Sequence, residues 1–191
     1  MAIVHWISCV GLLLIAADVT AADLERYEFS EVHMGVPFQI TLYAPTQVVA
    51  NRAAMAAYER IGQLDDILSD YDRESELMRF CRSAKPGRPV RVSKELFTVL
   101  ARAEVVSQRS DGAFDVSVGP LVRLWRRARR QKRLPDPDDL TDAKRAVGYK
   151  AIRLDSKRRT VELLKTDMRL DLGGIAKGYA GDEALAALRK Q

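Results

Sequence analysis

The residues closest to a chemical task lie near the end of the chain, in DLGGIAKGYAGD, residues 171–182. A strand-like run, residues 168–172, meets Gly173 and Gly174 and then a helix-forming segment with Lys177 in its first turn. At such a junction the N–H groups of Gly173, Gly174 and Ile175 would point outward, and orphan donors and the helix macrodipole favour an anion there. Glycine lets the backbone approach closely, and Lys177 adds a full positive charge. The pattern is neither a P-loop nor GxGxxG, so by itself it is either a phosphate cradle or a tight turn with a solvated lysine. Asp171 stands just before it. A carboxylate there repels phosphate, so it either accepts hydrogen bonds from a ring N–H or a hydroxyl, joins a metal's shell, or caps the helix.

Three further stretches have chemical potential. In SDGAFDVSVGP, residues 110–120, Gly112 and Ala113 are too small to block a ligand and Asp115 could read hydroxyl or amine donors; the alternative is a turn pinned by Phe114 in the core. In LSDYDRESELMRF, Tyr71 follows a helix end and could stack on a flat ring or pack half-buried. In HMGVPF, Met34 and Gly35 sit at a strand break, and methionine is more often a core residue than a ligand contact. The chain has no HExxH, CxxC or nucleophile elbow, so metal-hydrolase and Ser-His chemistry lack their parts.

The elements that must position these residues interleave strands and helices. VPFQITLYA, residues 36–44, alternates as a strand does. Val48, Met55, Ile61, Leu64 and Leu68 recur at helical spacing, which predicts one apolar face of a long helix over residues 46–68. Ser93 caps a second helix running to about Ser110. A helix through Trp125, a short one near residues 138–147, a hairpin of YKAIRLDS and TVELLK, and the run MRLDL follow. Consecutive strands in this mixed order predict an α+β fold. The last helix has no later element to pack on, which predicts a stripe of Ile175, Tyr179, Leu185 and Leu188 left partly uncovered.

With 191 residues, 47% hydrophobic and 30% charged, the chain is long enough for one globular domain with its own core. Residues 3–17 are apolar apart from His5, and Val19 and Ala21 supply the small residues of a cleavage site, so residues 1–21 read as a secretory signal with the mature domain at 22–191. That predicts a periplasmic or otherwise exported protein, with inner-membrane association as a variant of the same reading. Cys9 would leave with the signal, so Cys81 is the one mature thiol and His33 the one mature histidine. The net charge is +5, and residues 123–133, RLWRRARRQKR, carry seven basic residues and no acidic one, leaving 5 − 7 = −2 elsewhere. This local run is a solvated helix end or a surface for an acidic partner or an anionic membrane; no aromatic ladder accompanies it, so nucleic acid is not expected.

Taken together, HMGVPFQITLY, LSDYDRESELMRF, DGAFDVSVGPLVRLW and DLGGIAKGYAGD resemble, in order and spacing, the ApbE family of flavin transferases. The resemblance runs from Met34 to Gln191. It implies an α+β domain with a mixed sheet and packed helices that takes FAD and, with Mg2+, transfers its FMN half to a threonine hydroxyl of an acceptor protein, releasing AMP. It implies FAD contacts at Met34, Tyr71, Ala113, Phe114, Asp115, Asp171 and Lys177, and a backbone ligand to Mg2+ at Gly174. The family continues past this helix with an Asp- and Thr-bearing metal site and a His-bearing segment, so the resemblance implies a C-terminally truncated form whose catalytic groups are expected beyond Gln191. Its alternative is a non-catalytic FAD- or nucleotide-binding module. Val36 stands where the family usually has threonine, Cys81 where asparagine is common, and residues 126–133 are more basic than usual.

Overall fold

The structure is a computed structural model and describes residues 24–191; the expected signal, residues 1–21, and Cys9 lie outside them. Two strands, β1 (Glu25–His33) and β2 (Val36–Ala44), open the fold as an antiparallel hairpin in which Phe29 faces Ile40 and Tyr27 faces Leu42. Alternation along β2 turns Phe38, Ile40 and Leu42 towards the core. Met34 and Gly35 are its two turn residues, and both have positive φ, 49° and 71°. That is the condition for the tight turn whose twist matches the strands.

The long helix α1 (Gln47–Leu68) is capped by Thr46, whose side chain accepts the Val49 N–H. Its predicted face was half right. Ile61, Leu64 and Leu68 are buried, but Val48 and Met55 are exposed, and the first turns bury Ala50, Ala53, Ala54 and Ala57 instead. Small residues are buried there because a second helix lies along this one. That helix is α6 (Ala176–Leu188), which buries Ala176, Ala180 and Ala184 together with Tyr179. The expectation that the last helix lacks a packing partner is therefore corrected: α1 covers it, and of its predicted stripe Tyr179 is buried while Leu185 is exposed. Arg60 of α1 ties the pair, reaching Glu183 at 2.6 Å and Glu95 at 3.1 Å.

Between them run α2 (Glu76–Ser83), β3 (Val90–Arg91), α3 (Lys94–Arg109), α4 (Gly119–Gln131), α5 (Pro137–Arg145), β4 (Ile152–Asp155) and β5 (Thr160–Leu163). Ser93 caps α3 as predicted, accepting the Leu96 N–H. Among the described residues β3, β5 and β4 form a small antiparallel sheet, so the fold is α+β with two small sheets. Residues 149–151 are a 3₁₀ turn rather than the start of a strand. MRLDL is not a paired strand either; its backbone pairs with the segment before α4, through a parallel bridge between Val118 and Arg169 and the Asp171 N–H donated to the Val116 carbonyl at 2.8 Å. It is nevertheless core, with Met168, Leu170 and Leu172 buried. Close approach at that bridge requires Gly119, because a Cβ there would stand 2.6 Å from the Arg169 carbonyl oxygen.

Candidate functional site

The β1–β2 turn, the end of α1, the loop after it, α4 and the start of α6 converge on a cleft of about 740 Å³. That size suits a small-molecule ligand. Met34 enters it from the hairpin turn. A left-handed conformation costs a side-chain-bearing residue about 1–2 kcal/mol, and the carboxylate of Asp65 offsets it by accepting the Met34 N–H at 2.9 Å. Asp65 thus pins the hairpin to α1 and fixes where Met34 stands.

Tyr71 lies in the loop between α1 and α2. Ser69 Oγ accepts the N–H groups of Tyr71 at 3.3 Å and Asp72 at 3.2 Å, and the buried Ser75 donates to the Ser69 carbonyl at 2.6 Å while capping α2. A loop closed on itself in this way presents the tyrosine without burying it, and Tyr71 is 76% exposed. The guanidinium of Arg126 sits 4.1 Å from the centre of its ring.

Arg126 is the hub of the site's charges. It holds Asp70 at 2.6 Å and Asp171 at 3.4 Å, and both carboxylates are only 13% exposed. Burial pushes the Asp70 carboxyl above its ordinary range, and the nearby Asp171 charge adds to this against the pull of Arg126. Burial also weakens the guanidinium of Arg126, but the bond to Asp70 and the surrounding negative charges outweigh it, so its pKa is raised.

The start of α6 offers donors, and of the three the sequence suggested only Gly174 is among them. Gly173 N–H is taken by Asp171 Oδ1 at 2.9 Å, and the Leu172 carbonyl takes Ile175 N–H at 2.9 Å and Ala176 N–H at 2.8 Å. Asp171 is thus a turn-former as well as a partner of Arg126. Among the described residues, the N–H groups of Gly174, Lys177 and Gly178 make no hydrogen bond, and α6 has no side-chain cap. Free donors, the macrodipole and the exposed Lys177 at the cleft wall give this end the chemistry that suits an anion.

Met34, Tyr71 and Lys177 therefore meet in one cleft, with Asp171 one bond behind it. Ala113, Phe114 and Asp115 do not line it. Asp115 has both oxygens engaged, by Ser117 N–H and hydroxyl at 2.7 Å each and by Tyr149 N–H at 2.9 Å. Phe114 backs the glycine turn: a Cβ on Gly174 would come within 3.0 Å of its ring. Around Gly174 the donor set does not fit a complete Mg2+ shell. Asp171 is committed to Gly173 and Arg126, and the described residues contain no cluster of three or more His, Cys, Asp or Glu able to hold a metal. Three site residues escaped the sequence reading: Asp65, Asp70 and Arg126. Asp70 sat inside a quoted motif, and Arg126 was hidden among the basic residues of its run.

Fold and cleft together define an α+β domain in which an uncapped helix N-terminus stands beside an exposed aromatic ring. Residues 34–191 match the ApbE family, and the chain belongs to it. Among curated proteins it is 34% identical over 171 residues to a FAD:protein FMN transferase of Klebsiella pneumoniae (strain 342), covering 89% of this chain and 52% of that one. A FAD:protein FMN transferase of Salmonella typhimurium is 34% identical over 183 residues, covering 92% and 51%. Among solved structures, the ApbE protein of Thermotoga maritima superposes with a TM-score of 0.77 at 28% identity, over 86% of this chain and 52% of that one. A variant of flavin transferase ApbE from Vibrio cholerae gives a TM-score of 0.77 at 25% identity, over 87% and 57%. The chain spans about half the length of the curated relatives it matches.

Proposed function

We propose that this chain binds FAD in the cleft and serves in FMN transfer to an acceptor protein. One observation carries the reading: the uncapped start of α6, with Lys177, opens onto the same cleft as the exposed ring of Tyr71. A dinucleotide has the matching parts. Its pyrophosphate suits the free N–H groups and the lysine, and one of its flat rings suits Tyr71. In the transfer, the acceptor's threonine oxygen forms a bond to the FMN phosphorus, the bond from that phosphorus to the AMP oxygen breaks, and AMP leaves as the hydroxyl proton is lost. Such a displacement needs a positioned hydroxyl and charge neutralisation on the phosphoryl oxygens. Lys177 and the free N–H groups supply binding and part of that neutralisation.

Asp70 and Asp171 are held by Arg126, and His33 is stacked on Tyr58 and bonded to Glu31 at 3.2 Å. The other carboxylates lining the cleft are engaged, Asp65 by the Met34 N–H and Asp72 by the Glu74 N–H. The role proposed for the described residues is thus FAD binding. Mg2+, when bound, would neutralise charge on the phosphoryl group, and ligands besides the Gly174 carbonyl would have to come from elsewhere. Titration of FAD, with and without Mg2+, tests the binding, and incubation with FAD, Mg2+ and a threonine-bearing acceptor tests the transfer. Saturable FAD binding without an FMN mass increment or AMP is the expected result. Absence of FAD binding would overturn the reading, and stoichiometric flavinylation would overturn the division of labour. Export is a separate part of the proposal, checked by the intact mass of a periplasmic product starting near Ala22.

A further inference from the structure

Next to the FAD cleft, and sharing Asp70, Tyr71 and Arg126 with it, lies a second recess of about 550 Å³. Six arginines line it: Arg73, Arg82, Arg123, Arg126, Arg130 and Arg169. They come from the α1–α2 loop, α2, α4 and the segment before α6. One carboxylate accompanies them, Asp70, and Arg126 already holds it at 2.6 Å. Arg82 turns to the Arg73 carbonyl and to Glu74. The side chains of Arg73, Arg123, Arg130 and Arg169 make no hydrogen bond or ion pair with any described residue.

A solvated basic helix face does not account for this arrangement. Arg123, Arg126 and Arg130 are spaced three and four apart on α4, where like charges repel. Elsewhere on the same helix Arg127 has its own carboxylate, Asp139. Arg169 does not even belong to the helix; it is half-buried on a backbone fixed by the bridge to Val118. The chain thus gathers guanidiniums from separate elements into a concavity and leaves four of them, Arg73, Arg123, Arg130 and Arg169, without a counter-charge among the described residues. Met78, Val122 and Leu170 complete the lining with apolar surface suited to a polypeptide.

We propose that this recess docks an acidic segment of the acceptor polypeptide, whose carboxylates engage Arg73, Arg123, Arg130 and Arg169. Guanidinium forks pair with carboxylates in a bidentate manner. The shared wall of Tyr71 and Arg126 would then bring the acceptor's hydroxyl alongside the bound dinucleotide; this part rests on the FAD reading above. A concave site lined from four elements favours a chain threading into it over a flat membrane surface. The FAD phosphates have their own partners in Lys177 and the start of α6.

The test is fluorescence anisotropy of a labelled Glu-rich peptide, and of its Gln-for-Glu counterpart, with the 191-residue chain and its Arg123→Gln/Arg130→Gln variant. Both positions are exposed, and circular dichroism checks that the variant folds. The Glu-rich peptide should bind at least about tenfold tighter than its counterpart, and the variant should lose about ten- to hundredfold of that affinity. FAD affinity should stay within about twofold. Equal binding of the two peptides would overturn the proposal. So would a parallel loss of FAD, which would assign the recess to the dinucleotide's phosphates, or tighter capture by phosphatidylglycerol-containing vesicles than by peptide with the same sensitivity to the variant. Peptide binding that persists in a chain unable to bind FAD would uphold the acidic-segment site and sink the cleft reading.

Discussion

Replacing Arg126 by methionine keeps the apolar stem and deletes the charge, which isolates what the guanidinium does between Asp70, Asp171 and Tyr71. Two carboxylates that are each only 13% exposed then face each other without a counter-ion. Breaking a fully buried pair costs about 3–5 kcal/mol. Arg126 is 32% exposed, so solvent screening lowers the expected loss to about 2–3 kcal/mol near neutral pH.

The loss should depend on pH, and its sign follows from Asp70. Burial and the Asp171 charge already hold the Asp70 pKa above its ordinary value, against the bond and charge of Arg126. Removing Arg126 removes both lowering influences, so the value rises further, at about 1.4 kcal/mol for each unit. A carboxyl whose pKa is raised on folding binds more protons folded than unfolded between the two values. Stability therefore falls as pH rises through that window, and the cost is complete above the folded pKa. The deficit of Arg126→Met should thus be greatest near pH 7 and shrink by at least about 1 kcal/mol towards pH 4. Urea midpoints at constant m across this range measure it directly. Adding Asp70→Asn should flatten the pH dependence and recover part of the stability. A deficit that stays level with pH, or grows as pH falls, would refute the placement of Asp70 and Asp171 around one guanidinium.

Three further outcomes are expected. Lys177→Ala should weaken FAD by about ten- to hundredfold and riboflavin far less, because only FAD carries the pyrophosphate; equal losses in the two titrations would mean that Lys177 shapes the ring slot. Gly119→Ala should destabilise the fold by about 1–3 kcal/mol or more, since the added Cβ meets backbone at 2.6 Å rather than a movable side chain; an unchanged melting temperature would contradict the close approach of α4 to the Arg169 segment. Glu183→Ala should remove about 1 kcal/mol or less, because the partly exposed Arg60 keeps Glu95; faster amide exchange confined to α6 is the signature, and uniform loss of protection would argue against a local tie.

Local patterns were legible from the sequence alone. The alternation in VPFQITLYA matched β2 residue for residue, the Ser93 cap set the start of α3, and Gly-Gly marked the turn that leads into α6. These features depend on neighbours within a few residues, as do the motifs that carried the family resemblance. The burial of α1 did not follow the same logic. Its hydrophobic spacing placed Val48 and Met55 inward, whereas the inward positions became alanines because α6, more than a hundred residues away, lies along that side. Periodicity says that a helix has a buried face; which residues occupy it depends on the shape of what is packed there. The site divides the same way. Met34, Tyr71 and Lys177 could be named one motif at a time, but Asp70, Arg126 and Asp171 become a charge triad only when α4 crosses the loop after α1 and the start of α6. At the start of α6, by contrast, bonds within the turn itself took up the Gly173 and Ile175 donors and left those of Gly174, Lys177 and Gly178 free. Hydrogen bonds and ion pairs are settled by distance in space, and a sequence fixes that distance only where the partners are close along the chain.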